Sequence, residues 1–157
     1  MKLEERVVKQ LVEKGYHISF AESCTGGLTA ATIVSVADAS KVFDVSFVTY
    51  ANEAKIRYLG VQQDVIEQFG VVSEEVASQM AKGVALEAQS EVGIGITGIA
   101  GPSGGTATKP VGMVCFGICI EGKTKTYTMQ FGNIGRNEVR KKSVAFVLQQ
   151  LLMDMEG

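Results

Sequence analysis

The strongest constraint on the fold of this chain is the order in which strand-like and helix-like segments follow one another. Short apolar runs at residues 17–21, 42–50 and 92–97 predict three strands, and segments with helical spacing separate them. Strands joined through helices run parallel, because a crossover helix returns the chain to the same edge of the sheet. We therefore predict that the first three strands are parallel.

The helical segments carry recognisable end signals. Apolar residues recur at helical spacing from Leu3, and Gly15 is a suitable C-terminal cap. Ser73 is a suitable N-cap for a helix that runs to about residue 88, since its first turn is acidic. Further helices are predicted at residues 28–36, at Asn52–Leu59, from Asp64 onward and from about Arg136.

The second half of the chain predicts a different kind of strand. Residues 110–120 and 123–131 read as two strands around a turn at Glu121 and Gly122, and no helix separates them from the third strand. The fourth strand should therefore run antiparallel. We predict one domain over residues 1–157, an α/β fold with three α/β/α layers around a mixed five-stranded sheet.

Composition excludes several classes of function. The chain has 15 Lys and Arg against 17 Asp and Glu, so it lacks the basic surface that nucleic-acid binding requires. Its longest apolar stretch, residues 111–120, falls far short of the about 20 residues that cross a membrane. Its three cysteines show no disulfide spacing, which is typical of a reducing compartment. We expect a cytoplasmic protein without a nucleic-acid or membrane partner.

Three polar loops should meet at one edge of the predicted sheet. Ser23, Tyr50 and Thr97 each follow or end one of the first three strands. Ligands of open α/β sheets bind outside the carboxyl ends of parallel strands. These residues, far apart in sequence, are therefore expected to lie around one binding site.

The loop after the first strand offers a nucleophile beside an anion site. Ser23 is followed by glycines at 26 and 27, which allow close backbone approach, and then by a helix start with free N–H groups. Cys24 is a competing nucleophile, but adjacent side chains on an extended segment point in opposite directions. A polar turn that binds nothing is the alternative.

A serine nucleophile needs a base, and the sequence offers a lysine for that role. The only histidine, His17, precedes an apolar run and shows no sign of a catalytic triad, and no Cys/His cluster predicts a metal site. Lys55 follows the second strand and could act once its pKa is lowered, with Tyr50 orienting it or relaying a proton. Alternatively, Lys55 is solvated and Tyr50 only packs.

Two further glycine-rich segments could hold an anion. Residues 98–109 contain repeated glycines but do not match a Walker A loop, and residues 132–136 lead into the last helix. Arg136 and Arg140 lie one turn apart on that helix, so they could clamp a phosphate or be ordinary surface residues. Arg140, one turn into the helix, is the arginine that we expect to reach inward.

Three motifs give the chain a family resemblance. AESCTGG at residues 21–27, VTYANEAK at 48–55 and GITGIAGPSGGTATKPVG at 95–112 together resemble the C-terminal domain of the competence/damage-inducible protein CinA. The stand-alone form of that family is the nicotinamide-nucleotide amidase PncC. Met113 is a departure, because the family usually has threonine there. The resemblance covers nearly the whole chain.

The resemblance implies an activity and a set of site residues. It implies deamidation of nicotinamide mononucleotide (NMN) to nicotinic acid mononucleotide without metal or cofactor, by a homo-oligomer. Ser23 would be the nucleophile, Lys55 the base and Tyr50 its support. A nucleotide-sensing or competence-related partner-binding module without turnover is the alternative, and a thiol enzyme using Cys24 is a third. The predicted substrate-binding residues are Glu22, Thr25, Gly26, Gly27, Asn52, Thr97, Gly98, Gly101, Gly104, Gly105, Thr106 and Arg140.

Overall fold

A computed structural model describes residues 1–156, which form six α-helices and five strands. Helices and strands alternate up to the second strand, three helices then lead to the third strand, and three consecutive strands precede the last helix. In chain order the elements are α1 (Leu3–Lys14), β1 (Ile18–Glu22), α2 (Leu28–Val34), β2 (Phe47–Val48), α3 (Asn52–Leu59), α4 (Gln63–Phe69), α5 (Glu74–Ala88), β3 (Val92–Gly98), β4 (Met113–Ile120), β5 (Lys123–Gln130) and α6 (Arg136–Glu156).

The five strands form one mixed sheet in the order β2-β1-β3-β4-β5. Strand β1 pairs in parallel with both β2 and β3, whereas β4 is antiparallel to β3 and to β5. Helices α1, α2 and α6 pack together on one face, and α3, α4 and α5 lie on the other. The predicted three-layer fold and the antiparallel fourth strand are therefore confirmed.

The predicted end signals of two helices are confirmed, and those of a third are displaced. Gly15 caps α1 with a φ of 70°, and the hydroxyl of Ser73 accepts a hydrogen bond from the Val76 N–H. Helix α4 begins one residue before Asp64, so Gln62 is its N-cap. None of the helices in residues 1–156 is both long enough and apolar enough to cross a membrane.

The second strand is much shorter than predicted. Phe47 and Val48 pair with β1 as a strand, whereas Phe43 makes only an isolated bridge to Ile18. Residues 39–41, just before this segment, form a single 3₁₀ turn. The hydroxyl of Ser46 accepts the Phe20 N–H at 2.8 Å, a bond that the backbone of a longer strand would have made. The prediction of residues 42–50 as one continuous strand is wrong, because the Ser46 hydroxyl takes the place of a backbone carbonyl as the acceptor of the Phe20 N–H.

Strand β4 begins at Met113 rather than at residue 110. Pro110 has no N–H to contribute to a ladder, and Gly112 has a φ of 91°, outside the extended region. Phe131 donates its N–H to the Gly112 carbonyl, which closes the sheet at this end. The glycine-rich loop between β3 and β4 therefore extends over residues 99–112.

Helices α3 and α5 approach each other through their backbones. A Cβ at Gly83 of α5 would lie 1.9 Å from the carbonyl oxygen of Leu59, the last residue of α3. Only glycine allows this approach. The contact fixes α3 against α5 and the sheet, and α3 is the helix that carries Lys55.

Candidate active site

Ser23 occupies the turn directly after β1, at the carboxyl edge of the parallel strands. Its N–H donates to the Ile96 carbonyl at 3.1 Å, which continues the pairing of β1 with β3 by one residue. Its own carbonyl accepts from the Gly26 N–H at 3.0 Å, which closes a tight turn. Gly26 and Gly27 have φ values of 58° and 102°, and this conformation explains both glycines.

Lys55 lies within hydrogen-bond distance of Ser23. The side chain is 1% exposed, and its Nζ donates to Ser23 Oγ at 3.1 Å. The carbonyl oxygens of Thr49 and Tyr50 accept from the same Nζ at 2.6 and 3.3 Å. The three N–H bonds of the ammonium group therefore each have an acceptor.

Burial favours the neutral form of the Lys55 amine. Removal from water lowers the pKa of its ammonium from 10.5 to about 8. Among residues 1–156, no carboxylate lies within ion-pair distance of the Lys55 Nζ. The lysine is therefore partly neutral near physiological pH, as a general base must be.

Tyr50 contacts Lys55 through its backbone and not through its ring. The side chain is 61% exposed at the rim of the site, and its hydroxyl accepts a hydrogen bond from Arg136 Nη2 at 2.8 Å. The group of Tyr50 that contacts Lys55 is its main-chain carbonyl, which accepts one of the Nζ N–H bonds. Orientation of the lysine by Tyr50 therefore operates through the main chain, and a proton relay through its hydroxyl stays a prediction.

A cleft of about 350 Å³ opens above Ser23 and Lys55. One wall comes from residues 71–72, and the other comes from the start of the glycine-rich loop at residues 98–104. Thr97 joins these walls, because its buried hydroxyl donates to the Val71 carbonyl at 3.0 Å. The predicted residues that line the cleft are Ser23, Tyr50, Asn52, Lys55, Thr97, Gly98, Gly101 and Gly104.

Several residues predicted to bind substrate lie away from the cleft lining. Glu22 is fully buried, and its two carboxylate oxygens accept the N–H groups of Thr29 and Ala30 at 3.0 and 2.9 Å, so it caps α2. Thr106 closes a turn with Lys109 further along the glycine-rich loop. The complete set outside the lining is Glu22, Thr25, Gly26, Gly27, Gly105, Thr106 and Arg140.

Of the two arginines on α6, Arg136 reaches the cleft, whereas the sequence predicts that Arg140 reaches inward. Arg136 lines the cleft and donates Nη1 to the Gly101 carbonyl at 2.7 Å. Arg140 instead reaches the underside of the turn after β1, where it donates Nε to the Cys24 carbonyl at 3.0 Å and Nη2 to the Thr25 carbonyl at 2.9 Å. The prediction of Arg140 as a substrate contact has no support in this geometry.

Cys24 is poorly suited to act as the nucleophile. It is 6% exposed and packs in the larger core cluster, although it also touches the cleft. Burial raises the pKa of its thiol to about 11, so the thiolate is scarce at neutral pH. Ser23, by contrast, has the Lys55 Nζ within hydrogen-bond distance of its hydroxyl.

The fold and the site together define a class of α/β domain, one with a serine–lysine pair at the carboxyl edge of a mixed five-stranded sheet. A family model described as the CinA C-terminal domain matches residues 1–155. The chain belongs to the CinA family.

Relatives in this family differ in length from the present chain. A CinA-like protein of Kosmotoga olearia is 50% identical over 146 residues, which are 93% of this chain. The chain spans only 35% of that relative, and 37% of a similar protein of Clostridium perfringens. The match is therefore to one part of these longer proteins.

Solved structures share the complete fold. The competence/damage inducible protein CihA of Agrobacterium tumefaciens superposes with a TM-score of 0.94 at 39% identity, covering 99% of this chain and 94% of the other. A CinA superfamily protein of Escherichia coli gives a TM-score of 0.92 at 37% identity, covering 96% and 87%. These similarities establish the family and the fold.

Proposed function

We propose that this chain is an amidohydrolase that converts NMN and water to nicotinic acid mononucleotide and ammonia. The observation that carries the proposal is the hydrogen bond between the buried Lys55 Nζ and Ser23 Oγ. Membership of the CinA family and the three motifs that contain Ser23, Tyr50 and Lys55 support it.

Lys55 is held in the orientation that a neutral amine needs to act as a base. After losing one proton, Nζ has two N–H bonds and one lone pair. The carbonyls of Thr49 and Tyr50 accept the two N–H bonds, so the lone pair faces Ser23 Oγ. As Oγ attacks the carboxamide carbon, its proton passes to Lys55.

The negative charge that develops on the amide oxygen needs backbone donors. The Ser23 carbonyl is held by the Gly26 N–H, and in a trans peptide the following N–H points the opposite way. The Cys24 N–H is thus directed away from the closed turn, and it belongs to the residue after the nucleophile, which supplies an oxyanion donor in α/β-hydrolases. One such donor is worth about 2.7–4 kcal/mol.

The remaining steps return the enzyme to its starting state. Protonated Lys55 gives its proton to the amide nitrogen, the C–N bond breaks, and ammonia leaves a nicotinoyl ester on Ser23. Water then attacks the ester carbon with Lys55 again accepting a proton. The C–O bond to Ser23 breaks and Lys55 returns its proton to Oγ. The carboxylic acid that forms releases its remaining proton to solvent, so the product carries a carboxylate.

The two ends of the cleft suit the two ends of NMN. Val71, Val72 and Ile99 provide apolar surface beside Ser23 and Lys55, where the pyridine ring would lie. Arg136 provides a guanidinium at the rim, next to the backbone of Gly101 and Gly104, where the phosphate would lie. In this proposal Arg136 binds the phosphate, a role for which the sequence had suggested Arg140.

The decisive experiment is incubation of the purified protein with NMN, with release of ammonia and of nicotinic acid mononucleotide measured together. Ser23→Ala is the matched control, because it removes one hydroxyl and little volume from a turn. We expect turnover by the wild type and a loss of several orders of magnitude in the variant. Binding of NMN without turnover would instead favour a nucleotide-sensing module, and near-normal turnover by folded Ser23→Ala would move the nucleophile elsewhere.

A further inference from the structure

Arg140 is joined to the nucleophile turn by a two-pronged contact from the opposite end of the chain. Its Nε and Nη2 donate to the carbonyls of Cys24 and Thr25, more than 100 residues away in sequence. Its Nη1 donates to Asn137 Oδ1 at 3.0 Å, on the same helix. Each guanidinium nitrogen therefore has a partner, and Arg140 does not line the cleft.

The contact controls the orientation of successive peptide groups. Arg140 and the Leu28 N–H both donate to the Thr25 carbonyl, at 2.9 and 3.0 Å, and the N–H of the same peptide group belongs to Gly26. That N–H holds the Ser23 carbonyl, and the N–H of the Ser23 peptide group belongs to Cys24. The orientation of the Cys24 N–H, the oxyanion donor in the proposed reaction, thus depends on Arg140 through two peptide planes.

The other hydrogen bonds within the turn are local backbone contacts, from the Gly26 N–H to the Ser23 carbonyl and from the Leu28 N–H to the Thr25 carbonyl. Residues 24–27 lie beyond the last pairing of β1, and Gly26 and Gly27 have lost the steric limits that a side chain imposes. A Cβ at Gly26 would lie 3.5 Å from Arg140 Nη2, so the guanidinium packs directly against the turn. Its planar fork can fix two carbonyls at once, which a lysine ammonium cannot do with the same geometry.

We infer that Arg140 is a positioning residue that sets the turn carrying Ser23 and the Cys24 N–H, and that it acts without touching substrate. The inference rests on the proposed amidohydrolase function. Misplacing reacting groups by about 1 Å can cost about 100-fold in rate. Because both the nucleophile and the oxyanion donor act in the transition state, the loss should fall on kcat and not on KM.

The test compares Arg140→Lys and Arg140→Ala with Lys141→Ala, a neighbouring change at an exposed residue of α6. With NMN as substrate, we expect kcat to fall by about 10- to 100-fold in both Arg140 variants, with KM changed by less than about threefold. The kcat of Arg140→Lys should lie between that of Arg140→Ala and that of the wild type. The pH at which activity rises should stay as in the wild type, because Lys55 is unchanged.

A second measurement is independent of any activity. Amide hydrogen exchange in a peptide spanning residues 20–31 should be faster in the Arg140 variants and unchanged in Lys141→Ala. If the wild type does not turn over NMN, the proposed function fails while exchange still tests the contact. Unchanged exchange, or a raised KM with normal kcat, would overturn the inference; the Lys variant serves if the Ala variant does not fold.

Discussion

Lys55 is the residue on which the proposed chemistry depends most directly. A lysine that is buried without an ion pair favours its neutral form, and the pKa of about 8 places the change within the range of ordinary assays. The same burial opposes folding whenever the amine is charged. Activity and stability should therefore both rise with pH through the same group, activity around pH 8 and stability between about pH 8 and 10.5.

The first prediction concerns proton transfer. Because Lys55 must be neutral to accept the Ser23 proton, kcat/KM for NMN should rise with pH through about 8 and then level off. Lys55→Arg should be nearly as inactive as Lys55→Ala, because arginine keeps the charge but does not deprotonate in proteins. Substantial activity in Lys55→Arg would show that the charge alone is needed.

The second prediction concerns stability. The folded-state pKa of Lys55 lies below its unfolded value of 10.5, so the charged lysine destabilises the fold below pH 8, and this effect disappears as pH rises to 10.5. The shift corresponds to about 3 kcal/mol. We expect the stability of Lys55→Met relative to wild type to fall by about this amount between pH 8 and 10.5.

Denaturant unfolding at several pH values measures this difference directly. The loss of two hydrogen bonds to the Thr49 and Tyr50 carbonyls lowers the stability of the variant equally at every pH. It therefore does not change how the stability difference between variant and wild type varies with pH. Glu53→Gln, on the exposed side of the same helix, is the control and should show no comparable change. A constant difference between Lys55→Met and wild type would mean that the lysine pKa is not lowered.

At the scale of elements, the position of α3 depends on its contact with α5. The third prediction is that Gly83→Ala lowers the free energy of unfolding by several kcal/mol, because its Cβ would overlap the Leu59 carbonyl. Lys82→Ala, at the exposed neighbouring position, should change stability by less than about 0.5 kcal/mol. Thermal or denaturant unfolding of both variants measures the contrast, and equal stability would contradict the described packing.

The elements show how far sequence patterns could go. Helical crossovers between the first three strands determined the parallel pairing, and their absence later determined the antiparallel strand. The short β2 could not be predicted, because no pattern shows that the Ser46 hydroxyl takes the Phe20 N–H from the strand ladder. Side chains that replace backbone partners are visible only in three dimensions.

The site residues divide in the same way. Ser23 and Lys55 were predictable from strand ends and from the missing histidine, and the structure brings them into contact. Glu22 directly precedes Ser23 on an extended segment, where adjacent side chains point to opposite sides. This alternation could have predicted that Glu22 points away from the cleft that Ser23 faces. The choice between Arg136 and Arg140 depends on where α6 crosses the sheet, which spacing alone does not give.

At the scale of the whole molecule, the cleft joins groups from both halves of the chain. The fourth prediction is that nicotinamide riboside, which lacks the phosphate, is a much poorer substrate than NMN, because remote binding groups position the reacting one. Arg136→Ala should lower kcat/KM more for NMN than for the riboside, and so reduce the difference between the two substrates. Steady-state kinetics on both substrates measure the effect.

A contrast with Arg140 makes this prediction specific. Arg140→Ala should reduce turnover of NMN and of the riboside by the same factor, because its contacts are with the Cys24 and Thr25 carbonyls. Equal losses on both substrates in Arg136→Ala would place the phosphate elsewhere, next to the backbone of the glycine-rich loop alone.

The two carbonyls that bind Lys55 also limit how such a site could change during evolution. Histidine is the more familiar partner of a catalytic serine, yet neutral imidazole has one N–H to offer where the Thr49 and Tyr50 carbonyls each accept one. A single substitution would leave a buried carbonyl without a donor and a rigid ring in place of a flexible chain. A lineage that begins with lysine at this position would have to rebuild the segment around β2 before it could adopt another base.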